Sequence, residues 1–268
     1  MKCKNQFSFY EYEKLVQLAV SAKKVSCYVD SPNLQNESIL WRHDLEVSFV
    51  TSMALAEIDA AHGLRSYFFV NLESDFYNLL SPNGVRFMRR VIDLGHSIEL
   101  HFDLSYNKTI DSAADLGKTL TTSAQRLSDI LGIAPTAFSF HNPNSDSDKF
   151  KDLHYAGLVN CYADYFRSDI RYVSDSNGYW RYNSVYQELT SNDTRPLQVL
   201  THGEWWSDKP LKPRERLADS IFEIAIDQLS NYDKSLALNQ RKNLSDVSFE
   251  ETDDHILRAR KTWKRIFD

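Results

Sequence analysis

The 268-residue chain has no excess of positive charge, few cysteines and no long apolar run. Its 37 acidic residues outnumber 31 Lys and Arg for a formal net charge of -6, so the broad basic footprint of a nucleic-acid-binding protein is missing. Nowhere do about 18 apolar residues follow one another, which excludes a membrane-spanning helix. The residues after Met1 are polar and mixed rather than a short apolar stretch with a small-residue cleavage site. The expectation is a protein without a signal peptide, kept in the cytoplasm. Cys3, Cys27 and Cys161 are odd in number and widely spaced, which suits neither a disulfide framework nor a zinc knuckle. Internal repeats, low-complexity tracts and evident linkers are also lacking. What is there is apolar material, 42% of the residues, enough to build a sizeable core in one domain over 1–268.

That material is arranged rhythmically. Ser8 with Glu11 forms a capping-box signature opening a helix over 8–22, striped by Tyr10, Leu15, Leu18 and Ala19. After a polar break at 30–36, strand-like runs start at Ser38, Ser66, Ser97, Ala137, Leu158, Arg171 and Leu197. Helical stretches over 48–61, 82–94 and 110–131 separate the first four and end at Gly63, Gly95 and Gly132. Strands alternating with crossover helices predict a parallel sheet, here an α/β barrel. Beyond 211 the spacing predicts only outer helices, one carrying Ile221, Ile224, Ala225 and Leu229 and another Ile256, Ala259, Trp263 and Ile266. The basic run from Arg258 reads as the solvated face of the latter.

Polar residues collect where the strands end: Arg42, His43, Asp44 and Glu46; His101 and Asp103; His141; Asp175; His202. In a parallel barrel these ends share one rim, where active sites are built. A single strand-end histidine is ordinarily a hydrogen-bonded rim or core residue. Three of them from separate strands, among carboxylates, form a ligand set for a divalent ion such as zinc with a position left open for water. His62, His154 and His255 fall in helix or loop contexts and carry no expected role.

The segments Arg42 to Glu46, Gly95 to Asp103, Ser139 to Pro143, Tyr172 to Ser176 with Trp180, and Leu200 to Trp206 occur in order. Together they resemble the polysaccharide deacetylases with NodB homology, in a branch associated with bacterial surface polysaccharide synthesis. The resemblance spans roughly 38–206. It implies a distorted (β/α) barrel of about seven parallel strands with extra N- and C-terminal helices, the core lying over 38–206 and a helical extension over 211–268. It also implies one divalent metal ion, zinc or a similar ion, and hydrolysis of an acyl group from a sugar.

Residue by residue, Asp44 matches the family's catalytic base. The adjoining ligand position is Leu45, so the ligand role passes to Glu46. His101 matches the first histidine of the second motif, whereas the second is replaced by Ser105. His141, in the third motif's place, is the candidate substitute ligand and Asp103 the second choice. His202, in the Leu-x-His motif, matches the general acid. Arg42 is expected to hold Asp44, and Asp103 and Asp175 to meet the sugar, Asp175 by accepting a hydroxyl. Trp180, Trp205 and Trp206 offer flat faces for a sugar ring, or simply pack in the core. The implied substrate is an acetamido sugar, free or linked to a nucleotide or lipid. Two rival readings remain: a barrel that has lost its metal set and binds a saccharide or partner without turnover, and a hydrolase for another acyl or formyl group.

Overall fold

The structure is a computed structural model that describes residues 7–107 and 109–241. Cys3, His255 and the expected helix around Ile256–Ile266 lie outside these. Two compact units divide the chain, 1–217 and 218–268.

The first unit is built on nine strands: β1 (Lys24–Val25), β2 (Ser38–Leu45), β3 (Tyr67–Val70), β4 (Ser97–Phe102), β5 (Ala137–Phe140), β6 (His154–Tyr155), β7 (Leu158–Asn160), β8 (Arg171–Ser174) and β9 (Leu197–Thr201). They pair in the order β6-β7-β5-β4-β3-β2-β9-β8, with β1 beside β2. Every pairing is parallel except that of β6 with β7. The sheet curls into a half-barrel, the distorted barrel expected, with β7 and β8 as the limits of its parallel run.

The helices are α1 (Phe9–Ala22), α2 (Phe49–Ala61), α3 (Pro82–Asp93), α4 (Ala113–Leu131), α5 (Asp164–Ser168), α6 (Val185–Leu189) and α7 (Pro213–Leu238). Their starts follow local chemistry. Ser8, Ser48, Ser81 and Ser112 each accept hydrogen bonds from first-turn amides of α1 to α4. Gly132 ends α4 in the left-handed conformation, φ 75°. In the second unit the described residues continue helix α7 to Leu238.

The β6–β7 hairpin was not expected from the sequence. His154, expected in a helix or loop, lies on β6, and Ala156 and Gly157 turn the chain at φ 50° and 79°. Two positive φ angles are what a two-residue hairpin needs, although alanine rarely supplies one.

Side-chain alternation along the strands sorts the molecule into two faces. One parity of each strand enters the interior, where Leu40, Tyr67, Phe69, Ala137, Val159 and Cys161 pack together. The other parity meets the helices. Ile39, Trp41, Leu197 and Val199 join Tyr12, Val16 and Leu55 of α1 and α2.

Candidate active site

Asp44 shares the interior parity of Leu40 and Arg42, and Glu46 continues it past the end of β2. Arg42 is fully buried and grips Asp44 in a two-pronged ion pair, Nε to Oδ1 at 3.1 Å and Nη2 to Oδ2 at 2.7 Å. Its guanidinium lies between the rings of Phe69 and Tyr162, and Nη2 also donates to the Tyr162 hydroxyl at 3.3 Å. Burial alone would raise the Asp44 pKa, but the charges of Arg42, His101 and His202 outweigh it and hold the carboxyl below its usual range.

His101 and Ser139 are direct partners in the β4–β5 register. That register places the serine hydroxyl 2.7 Å from Nδ1 of His101 and leaves Nε2 facing outward to Glu46 Oε1 at 2.9 Å. His141 extends the same ladder, its amide bonding to the Phe102 carbonyl at 2.8 Å. Its Nδ1 lies 3.2 Å from both Glu46 Oε1 and His101 Nε2, while the Asn142 amide sits 2.8 Å from its Nε2. The three residues therefore form a triangle with edges of 2.9, 3.2 and 3.2 Å. Ligand atoms held tetrahedrally by zinc at about 2.0–2.1 Å stand roughly 3.4 Å apart. The donor set fits such an ion in chemistry and in size, and each imidazole has a neighbour on its other nitrogen that orients it. Burial would raise the Glu46 pKa, but the two histidines hold it well below the carboxylate range. The hydrogen bond to Glu46 raises that of His141 against burial.

His202 follows β9. Since His43 pairs with Thr201, the next position across from Asp44 is His202. Its Nδ1 donates to Asp175 Oδ1 at 2.6 Å, and its backbone amide donates to Oδ2 at 3.2 Å. Burial pulls the imidazolium down, but the bond and charge of Asp175, with Glu204 and Asp44 behind, lift it to about 10.

Asp175 differs from expectation. It is wholly buried, and Trp206 Nε1 also donates to Oδ2, at 2.8 Å, so both oxygens are engaged within the protein rather than offered to a sugar hydroxyl. It lies one step beyond β8, off the interior parity, and reaches His202 from behind. Asp103 is partly exposed and uses Oδ1 to cap the amide and hydroxyl of Ser105. Trp180 stacks on Phe7 with centroids 5.3 Å apart and tilts against Trp206, so its face is occupied. Trp205 is half-buried and packs on the same cluster.

Three features had not been expected. Glu204 is buried, and burial pushes its carboxyl up to about 8 despite the nearby His202 charge. Tyr162 joins the Arg42–Asp44 pair from the end of β7. Behind β2, His43 Nε2 donates to Asp59 at 2.8 Å, Tyr12 donates to the same carboxylate at 2.7 Å, and the Thr201 hydroxyl lies 2.7 Å from His43 Nδ1. This satisfied buried network braces β2 and β9 under the rim.

No protein-family model and no curated protein sequence matches this one. The solved structures it resembles are family 4 carbohydrate esterases. Among them are the chitin deacetylase of the fungal pathogen Colletotrichum lindemuthianum and a family 4 esterase of Streptomyces lividans in complex with acetate. The first is 18% identical over 71% of this chain and 83% of its own, with a TM-score of 0.43. The second is 16% identical over 80% and 95%, at 0.41. A family 4 pseudoenzyme from Bacillus anthracis is 12% identical over 70% and 60%, at 0.37.

The Asp175–His202 pair makes a pH prediction. The His202 pKa is raised above the ordinary value of about 6.5, so the stability the pair contributes is fully present below that pH. It is lost as pH rises through about 10. Asp175→Asn is expected to lower the imidazole titration by about 1–3 pH units, because the opposing charge is gone. NMR titration of the His202 ring checks this, and an unmoved titration would deny Asp175 its hold on the acid.

Proposed function

We infer that the rim hydrolyses the N-acyl group of an acetamido sugar, of the kind found in surface-polysaccharide precursors. The observation that carries the reading is one rim holding three things at once: a converging Glu46–His101–His141 triangle, an ionised Asp44 locked by Arg42, and a charged His202 locked by Asp175. Glu46, His101 and His141 would hold a divalent ion, which when bound would supply Lewis-acid polarisation of the acyl oxygen and would lower the pKa of the attacking water.

The chain's own residues do the proton work. Asp44 accepts the proton of the water that adds to the acyl carbon, and Arg42 keeps that carboxylate ionised and aimed. His202, with Nδ1 committed to Asp175, presents Nε2 and delivers its proton to the sugar nitrogen, which leaves poorly as an anion. The free thiols of Cys27 and Cys161 accord with a reducing compartment and a cytoplasmic substrate.

Ser105 stands where the family motif has its second histidine, which supports a second reading: a barrel that binds saccharide without turnover. His141 answers it by filling the third corner of the triangle from another strand. Metal analysis tests the two. Wild-type protein supplied with zinc is expected to hold one ion per chain, and His101→Ala to lose it while keeping its circular dichroism spectrum. Wild-type protein that stays empty would favour the binding barrel.

A further inference from the structure

Burying a carboxyl is costly unless donors meet it, and Glu99 of β4 is 2% exposed. It stands opposite Phe69 in the β3–β4 register, so its side chain takes the interior face. His101 follows it on that face, about 6.6 Å along the strand. Three donors meet the carboxyl, all from the entry to β5. The amides of Thr136 and Ala137 donate to Oε2 at 2.6 and 2.8 Å, and the Thr136 hydroxyl donates to Oε1 at 2.9 Å. Glu99 lies below the rim and takes no part in the proton chemistry there.

What the clamp holds is the register of β5. Its pairs with β4 are Leu100–Phe138, His101–Ser139 and Phe102–Phe140. The strand reads Ala-Phe-Ser-Phe, a repeat with a period of two. A slip of one residue would turn both phenylalanines to the other face, and the apolar pattern excludes it. A slip of two is different. It sets one phenylalanine where the other stood, against Leu100, Leu116 and Leu120, and a small residue again faces the interior. Burial therefore separates these two registers only weakly.

The rim could not survive that slip. Ser139 and His141 would move about 6.6 Å along β4. Ser139 would lose its 2.7 Å contact with His101 Nδ1, and His141 Nδ1 its 3.2 Å approach to Nε2. Glu99 resists it in both directions. Slipped one way, Pro135, which has no N–H, would take the place of Ala137. Slipped the other way, Phe138 would replace Thr136 and bring no hydroxyl. Either way the buried carboxyl is left short of a donor, and that is costly.

We propose that Glu99 is a positioning residue for the metal triangle, selecting the β4–β5 register in which Ser139 and His141 meet His101. The proposal rests on the reading of Glu46, His101 and His141 as a metal site, and its test reads register and metal separately.

Wild type is compared with Glu99→Ala, Glu99→Gln and Thr136→Val. Register is read on metal-free protein as NOEs between His101 and Ser139, and zinc affinity as a Kd by competition with a chromophoric chelator. Glu99→Ala is expected to lose those NOEs and to raise Kd about 10–100-fold, the range for removing an outer partner of a metal ligand. Glu99→Gln, which keeps the reach and one acceptor oxygen, should recover part of both. Thr136→Val, which removes one of the three donors, should raise Kd by less than Glu99→Ala. These two carry the test if Glu99→Ala does not fold. Val16→Ala, a cavity where α1 packs on the outer face of the sheet, is the stability control. It should lower the urea midpoint and leave Kd unchanged. Wild-type NOEs and Kd in Glu99→Ala, or an equal rise of Kd in Val16→Ala, would overturn the proposal. NOEs lost in Glu99→Ala, with no zinc bound by wild type, would uphold the selected register and remove the metal reading.

Discussion

Replacing Asp44 by Asn is expected to lower kcat by about 10²–10⁴-fold, the usual contribution of a positioned base, while the metal content of the protein stays the same. An amide cannot take the proton from water, yet it has nearly the shape of the carboxylate. The change also strands Arg42, a wholly buried cation whose ionic partner is Asp44. Removing one member of a buried pair costs about 3–5 kcal/mol, so a lower urea midpoint should accompany the lost turnover. The double variant Asp44→Asn with Arg42→Met separates the effects. It should regain part of the stability and none of the activity. Full activity in Asp44→Asn would show that another group takes the proton.

His202→Ala is expected to cost a similar 10²–10⁴-fold in kcat, with metal and sugar affinity retained, because His202 stands outside the Glu46–His101–His141 triangle. The loss should depend on the leaving group. An amide, whose nitrogen needs the proton, should suffer far more than an activated aryl acetate, whose oxygen leaves unaided. Rates on both kinds of substrate, measured on the same preparation, check this. Equal losses on the two would mean that His202 positions substrate rather than delivering a proton.

The parts of this site that were legible in the sequence share a physical cause. β2, β4, β5 and β9 are largely buried apolar runs, so a charged or imidazole side chain in their last few positions or just past them stands out against its neighbours. Arg42, Asp44, Glu46, His101, His141 and His202 all show this contrast, and strand alternation brings them to one side. Asp175 was visible as a strand-end carboxylate, but its partner was not. Sitting one step past β8, it faces back toward His202 and Trp206, a choice made by the path of the chain rather than by residue type. The choice between sugar face and core was left open for the tryptophans for a similar reason. Trp180 stacks on Phe7, more than 170 positions away, and nothing local announces that contact. The β6–β7 hairpin escaped notice because its turn uses Ala156 at positive φ, where the usual signal is Asn or Gly. Tyr162 and Glu204 owe their places to burial, which raises the Glu204 pKa and packs Tyr162 on Arg42, and composition carries no mark of it.

The most direct test of the account counts bound metal and released acetate on the same samples. Wild-type protein supplied with zinc is incubated with N-acetylated oligosaccharides beside Asp44→Asn. The account predicts one ion per chain in both proteins, steady acetate release by wild type, and a rate at least about a hundredfold lower in the variant. Equal release by the two, or acetate release by wild-type protein that holds no metal, would contradict it.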